Sequence, residues 1–323
     1  MAGQPQAVWE GPEAMKIAIV GTGAMGSVYA GLMASAGHEV WAIDTWADHV
    51  AAMARDGLRL EGASGDRRVA LHATMDAAEC GPCDLVIVGT KAMHVEAAAR
   101  AALPLLGPDT PVISIQNGIG GPDMAAAVMG AERVLVGVVG GFGASMVGPG
   151  HAHHNAMELM RLGERAGGIT PRLERIAEIW RGAGFTVRCF EDIDQLVWEK
   201  LLCNCCYSGT SAITGLTVGG IIDSPGAWAV ASGCAAEVHA VAKARGITLE
   251  MDDPREYARA FGDKIRPAKP SMLQDIEAGR VCEVDCINGA IPALAEACGL
   301  EAPINRTVAD LVRGRMAALG LQV

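Results

Sequence analysis

Aromatic side chains are scarce in this chain: 4 Phe, 3 Tyr and 6 Trp among 323 residues. Its core is therefore expected to be aliphatic and close-packed, with 41 glycines and abundant alanine allowing elements to approach closely. No uninterrupted apolar run reaches the roughly 20 residues that cross a bilayer, so no membrane association is expected. Basic residues are outnumbered 26 to 37, for a formal net charge of −11, and no Lys/Arg run offsets this. Such a surface repels a phosphate polyanion, which argues against nucleic acid as a partner. A small anionic ligand stays open, because a pocket sets its own local field.

Residues 1–14 have no basic-then-apolar layout of a secretory signal and read as a disordered extension. The ten cysteines stand mostly singly in apolar surroundings, where a reduced Cys packs as a small hydrophobe. A chain of this length buries a sufficient core without disulfides. The expectation is a reduced, cytoplasmic protein.

At roughly 100–200 residues per domain the length predicts about two domains. Aliphatic strands at 16–20, 39–43, 84–88 and 111–115 alternate with helical patterns at 24–36, 46–55 and 92–106. A polar pair of short strands is read at 58–61 and 68–72, and 133–139 and 185–189 resemble the last strands of the same sheet. Strands alternating with helices of this length imply βαβ units, and continuous apolar strands imply a sheet covered on both faces. From residue 191 nearly everything carries helical periodicity, broken at glycine and proline. The fold class is α/β: a Rossmann-type doubly wound parallel sheet at 15–190, then an all-helical domain at 191–323.

Gly21-Thr22-Gly23-Ala24-Met25-Gly26 closes the first strand and opens the first helix. A lone G-x-G-x-x-G is weak evidence; a strand before, a helix after and an acidic residue ending the second strand give it meaning. Gly21 makes the tight turn, Gly23 lets backbone approach a pyrophosphate, and Gly26 permits close helix packing, while the N–H groups around Ala24 and Met25 face the phosphates. Asp44 lies where the adenosine ribose is bound; it accepts from ribose hydroxyls and repels a 2′-phosphate. The nearest following cation is Arg55. The cofactor is thus NAD(H) or NADP(H), with Asp44 favouring NAD; Asp44 also suits the N-cap of the following helix.

In the helical domain Lys200, Asn204 and Ser208 fall at i, i+4 and i+8, on one stripe of an apolar helix. A lysine there either snorkels or serves a site, and partial burial would lower its pKa towards proton donation near neutrality. Ser271 follows Pro270 at a helix start and reads as an N-cap or a carboxylate contact; Glu283 opens the next helix. Three other groupings read as structural. Cys80-x-x-Cys83 precedes a strand instead of opening a helix, against a redox role. His151 and His153 share a strand face, with His154 opposite, but no third ligand is near in sequence, so no metal is expected. Cys203, Cys205 and Cys206 cannot all point one way on a helix.

The glycine fingerprint, Thr90-Lys91-Ala92, Gln116-Asn117-Gly118, the 198–204 helix, Ser271-Met272-Leu273-Gln274-Asp275 and Glu283-x-Asp285-x-x-Asn288-Gly289 together resemble the ketopantoate reductase family, in order from Met15 to about Arg315. The resemblance implies hydride transfer between a nicotinamide cofactor and a 2-oxo acid. It assigns Lys200 as general acid and Glu283 as its partner, also near the cofactor. It places Asn117, Asn204, Ser208 and Ser271 on substrate, and Asn117 and Lys91 beside the cofactor. Ser208, Val218 and Ala268 depart from asparagines of members that reduce ketopantoate, which loosens the substrate assignment. Ketopantoate leads, with another 2-oxo or 2-hydroxy acid as the alternative. Glycine- and alanine-rich helices are compatible with a homodimer. A dinucleotide sensor without turnover shares the first loop. So does a methyltransferase, which would leave Lys200 and Glu283 unexplained.

Overall fold

The computed structural model describes residues 14–141 and 143–321; the expected extension therefore lies, but for Ala14, outside the described residues. Among the described residues twelve strands run in chain order as β1 (Lys16–Val20), β2 (Glu39–Ile43), β3 (Leu58–Gly62), β4 (Arg67–Val69), β5 (His72–Thr74), β6 (Leu85–Val88), β7 (Val112–Ser114), β8 (Val134–Gly140), β9 (Gly143–Gly148), β10 (His151–Ala156), β11 (Leu159–Glu164) and β12 (Thr186–Cys189). Helices α1 (Ala24–Ser35), α2 (Ala47–Asp56), α3 (Val95–Ala101), α4 (Gly121–Met129) and α5 (Pro171–Gly182) lie among them. Then follow α6 (Ile193–Thr214), α7 (Val218–Asp223), α8 (Pro225–Ala244), α9 (Pro254–Lys264), α10 (Ser271–Glu277), α11 (Ile291–Glu296) and α12 (Pro303–Ala318).

The chain divides into two compact units. The first holds the described residues up to Thr90 with Ala98–Ser114 and Met129–Glu191; the second holds Lys91–Ala97, Ile115–Val128 and the chain from Asp192. Two short segments before residue 190 thus pack with the helices. The reason is hydrogen bonding between segments distant in sequence: Ile119 N donates to the Cys286 carbonyl at 2.9 Å, and Glu283 takes the Ala92 amide at 3.0 Å.

The first unit is built on an 8-stranded sheet in the order β12-β11-β8-β7-β6-β1-β2-β5. From β8 to β5 every neighbouring pair is parallel. The central strands are apolar along their whole length because both faces are covered; Ile17, Ile19, Leu85 and Ile87 are buried. The Rossmann-type class holds, with one addition: β11 runs antiparallel to β8, and β12 follows β11, so the last two strands are reversed. Between β8 and β11 the chain leaves to form β9 and β10, then returns without a crossover helix, which an antiparallel neighbour permits.

β9 and β10 join a second sheet of 4 strands, β4-β3-β10-β9. The strand expected at 68–72 is instead two: Arg67–Val69 pairs with β3, and His72–Thr74 pairs with β2. Helix α1 is buried from Gly26 to Met33 because it has the large sheet on one side and β3 on the other. A Cβ on Gly31 would come within 2.3 Å of Leu60 Cδ1, so a small residue is needed there. The helix expected at 92–106 breaks into a 3-10 turn at Ala92–His94, α3, and a second 3-10 turn at Leu103–Leu105; Pro104, without an N–H, prevents continuation. Three of the rings form a cluster, Tyr29 against Trp180 at 5.2 Å and Trp180 against Phe185 at 4.8 Å, both edge-on.

In the second unit the 22-residue α6 is the central element. Asp192 caps its start by accepting from Asp194 N and Gln195 N, and Gly215, at φ +76°, ends it. Trp198, Leu201, Leu202 and Tyr207 bury against α8, α9, α10 and α12. Among the described residues no helix is long and apolar enough to cross a membrane.

Candidate functional site

The turn after β1 is shaped by two contacts that exclude a side chain. Gly21 has φ +90°, and a Cβ there would lie 2.6 Å from Thr90 N; a Cβ on Gly26 would lie 2.0 Å from the Gly21 carbonyl oxygen. Gly23 differs: a Cβ there would meet nothing within 4 Å. Packing does not require glycine at this position, yet its absent side chain leaves open space against the loop. Gly23 is also the N-cap of α1 and provides no side-chain cap, so Ala24 and Met25 begin the helix with no side chain closing it. An open cradle at an uncapped end of a 12-residue helix fits a pyrophosphate.

Asp44, half-buried at the end of β2, holds this loop. Its Oδ2 accepts the Thr22 amide at 2.7 Å, with the Thr22 hydroxyl at 3.4 Å, and its Oδ1 accepts the Trp46 amide at 2.9 Å. The N-cap of α2 is Trp46, not Asp44, because the chain turns two residues later than expected. A carboxylate has about four lone-pair sites, so capacity for ribose hydroxyls remains. Arg55 is committed elsewhere: its guanidinium pairs with Asp56 at 2.6 Å.

His49 is a residue that sequence reasoning overlooked. It is buried in α2, its Nδ1 accepts the Gly150 amide at 2.8 Å, and its Nε2 donates to the Thr22 carbonyl at 2.9 Å. The amide at Nδ1 fixes the tautomer with the proton on Nε2. Burial lowers its pKa, opposed by the Thr22 carbonyl and the Asp44 charge. The only hint in the sequence was a histidine on the apolar face of an amphipathic helix.

In the second unit, motifs separated widely in sequence meet at Glu283. This buried carboxylate accepts the Ala92 amide at 3.0 Å through Oε1 and the Asn117 side-chain amide at 3.4 Å through Oε2. Glu283 is the N-cap of a 3-10 turn at Val284–Cys286 rather than the start of an α-helix. Gly118, at φ +81°, lets the loop press on this turn, since a Cβ would lie 2.2 Å from the Cys286 carbonyl oxygen. Lys91 bonds the Val281 carbonyl at 2.9 Å and pairs with the buried Asp275 at 2.7 Å. Its ammonium therefore anchors the segment that carries Ala92.

On α6, Lys200 and Asn204 are half-buried and Ser208 is buried. Ser271 is exposed and is the first residue of α10; Pro270 holds the N-cap position, so the expected hydroxyl cap is not formed. Asn288 is part of the core: its Nδ2 donates to the Cys205 carbonyl and to Asn305 Oδ1, both at 2.9 Å. Asn305 in turn donates to Cys234 O at 3.1 Å and Glu237 Oε2 at 2.8 Å. Val218 N bonds the Ala268 carbonyl at 3.0 Å, which sets these two apolar positions side by side.

The remaining groupings are placed as follows. Cys80 and Cys83 are buried with their sulfurs 3.3 Å apart, and burial pushes both thiols up. Cys203, Cys205 and Cys206 are all buried, the Cys203 thiol pushed up to about 12. A carboxylate that proximity in sequence could not reveal, Glu61 on the neighbouring β3, lies 3.1 Å from His151 and 3.4 Å from His153. Arg59 stands 3.2 Å from the same carboxylate, and among the described residues no group of three or more His, Cys, Asp or Glu is arranged to hold a metal ion.

The family model described as ketopantoate reductase PanE/ApbA matches residues 17–167, and that of its C-terminal domain matches 192–316. A 2-dehydropantoate 2-reductase of Mesorhizobium japonicum is 32% identical, covering 93% of this chain and 97% of its own. The crystal structure of a PanE/ApbA family ketopantoate reductase from Ralstonia eutropha JMP134 superposes with a TM-score of 0.87 at 34% identity, covering 95% of this chain and all of its own. D-Mandelate dehydrogenase, solved with NADH and anilino(oxo)acetate, gives a TM-score of 0.88 at 26% identity and covers 95% of this chain and 100% of its own. The chain belongs to the ketopantoate reductase family of nicotinamide-dependent oxidoreductases.

Proposed function

We propose that this protein reduces the ketone of a small 2-oxo acid with a nicotinamide dinucleotide, ketopantoate to pantoate being the leading reaction and NADH the favoured carrier. The observation that carries the reading is the convergence of Ala92 and Asn117 on the Glu283 carboxylate. Three of the motifs on which the family resemblance rests meet there at one buried charge, in the unit that also carries Lys200.

The dinucleotide, when bound, supplies the hydride for the carbonyl carbon. The pyrophosphate is held by the Gly21, Gly23 and Gly26 loop with Ala24 and Met25, and the adenosine ribose by Asp44. Lys200 gives its proton to the carbonyl oxygen, and its positive charge favours the developing alkoxide over the ground-state ketone. Glu283 has lone pairs beyond those used by Ala92 and Asn117, and with these it orients Lys200 and a substrate hydroxyl. Asn117, Asn204, Ser208 and Ser271 position the substrate, and Lys91 borders the cofactor. A 2′-phosphate beside Asp44 meets a negative charge with Arg55 already paired to Asp56, which supports NADH over NADPH.

A second reading has support of its own. Val218 and Ala268, bonded through their backbones, are apolar where ketopantoate-reducing members carry asparagines. The structurally similar D-mandelate dehydrogenase was solved with NADH and anilino(oxo)acetate, an N-aryl oxamate whose amide carbonyl stands beside a carboxylate as the ketone of an aryl 2-oxo acid does. A bulkier 2-oxo or 2-hydroxy acid is the alternative substrate. Absorbance of the reduced nicotinamide, followed with NADH and NADPH against a panel of 2-oxo acids, decides the matter. Oxidation of NADH with ketopantoate is expected; turnover only with aryl 2-oxo acids selects the second reading. Binding without oxidation by any of them overturns both.

A further inference from the structure

We infer that the indole of Trp46 is the surface on which the adenine ring of the dinucleotide stacks, an inference that rests on the dinucleotide reading of the glycine loop. Trp46 is 38% exposed, an unusual place for a large ring in a chain with so few. It is nevertheless held. Its backbone amide donates to Asp44 Oδ1 at 2.9 Å, and one face of its ring lies on the His49 imidazole at 5.1 Å with planes 20° apart. His49 is fully buried and pinned at both nitrogens, by the Gly150 amide and by the Thr22 carbonyl inside the glycine loop. The indole is thus backed by a fixed group on one face and presents an apolar face beside the carboxylate that takes the ribose.

A second exposed apolar side chain stands one strand away. Met75 is 55% exposed and follows Thr74, whose carbonyl accepts the Asp44 amide at 3.3 Å. Apolar groups therefore stand at the ends of β2 and β5, one on each neighbouring strand, with Asp44 joining them. Two exposed apolar groups beside a ribose-binding carboxylate suit a flat heteroaromatic base, which stacks through its π-face without needing specific hydrogen bonds. The pre-set ring loses little freedom when the base arrives.

The test is calorimetric binding of ADP-ribose and NADH to the full chain and to Trp46→Ala, Trp46→Phe and Trp46→Leu, with tryptophan emission recorded in parallel. Trp46→Ala is expected to weaken ADP-ribose about tenfold, a typical loss for a base–aromatic stack. Trp46→Phe restores most of it and Trp46→Leu does not; ADP-ribose is expected to quench tryptophan emission in the parent and to leave it unchanged in Trp46→Ala. Equal affinity in Trp46→Ala overturns the inference, as does rescue by Leu as full as that by Phe. If the parent chain binds neither NADH nor ADP-ribose, the dinucleotide reading itself fails, and that outcome is separate from the first two.

Discussion

The Glu283 carboxylate receives the backbone amide of Ala92 at 3.0 Å, across 191 positions of sequence. Both groups are buried, so the amide has little access to water as a substitute acceptor. A buried amide left without an acceptor costs about 1–3 kcal/mol. Glu283→Ala should therefore release the turn at residues 92–94, seen as loss of hydrogen-exchange protection at the Ala92 amide, and should also lower turnover. Unchanged protection at Ala92 would show that the carboxylate does not hold this segment.

Lys200→Ala tests the proton donor. Loss of a positioned general acid typically costs about 10²–10⁴-fold in rate. Turnover should fall within that range while the affinity for NADH stays within about twofold, since the glycine cradle belongs to other residues. Turnover comparable to the parent would remove the assigned role.

Asp44→Arg reverses the charge at the end of β2, where the ribose is proposed to bind, and deletes the acceptor for the Thr22 and Trp46 amides. The ratio of kcat/KM for NADPH to that for NADH should rise at least about tenfold, the strength of one charge-assisted hydrogen bond. Asp44→Asn, which keeps an acceptor but not the charge, should move the ratio less. An unaltered ratio in both would place Asp44 out of reach of the ribose.

The neutral state of His49 is built into the loop. Its folded pKa lies below the ordinary 6.5 because burial disfavours the cation, so the unfolded chain binds the proton first. Stability should fall as pH drops through and below 6.5, and be regained above it. His38 and His154 are lowered by burial as well and contribute with the same sign. Thermal melts of the parent and His49→Gln between neutral and mildly acidic pH should show a shallower loss in the variant. Protonation must also break the bond from Gly150, so NADH affinity of the parent should decline over the same interval. Parallel slopes for parent and variant would exclude His49 as the titrating group.

Asn288 joins α6 to α12 through Cys205 and Asn305, and Asn305 carries the network on to Glu237 of α8. Asn288→Ala removes a fully buried donor and leaves Asn305 Oδ1 and the Cys205 carbonyl with fewer partners. The expected loss is about 2–4 kcal/mol by chemical denaturation, from an unsatisfied network and a small cavity together. A change below about 0.5 kcal/mol, the ordinary range of surface substitutions, would mean that water replaces the amide.

The glycine loop could be read from residue order because all its parts are local: a strand, a turn that only glycine permits, and a helix. Asp44 was legible for the same reason, being placed by the end of β2. The helical stripe of Lys200, Asn204 and Ser208 followed from spacing along a single element. By contrast, β9 and β10 carry little strand character of their own and form because β3 pairs with β10, a partner about ninety residues away. Glu61 reaches His151 and His153 through that same pairing.

Local chemistry, then, was enough for the class of the first unit, the glycine turn between β1 and α1 and the helical nature of the second, since propensity and periodicity act over a few residues at a time. Which amide Glu283 accepts, what pins His49, where Lys91 places its charge and how Trp46 is backed all depend on groups that meet after the chain has closed on itself. Hydrogen bonds and ring contacts respond to distance in space, and separation along the backbone carries no record of it.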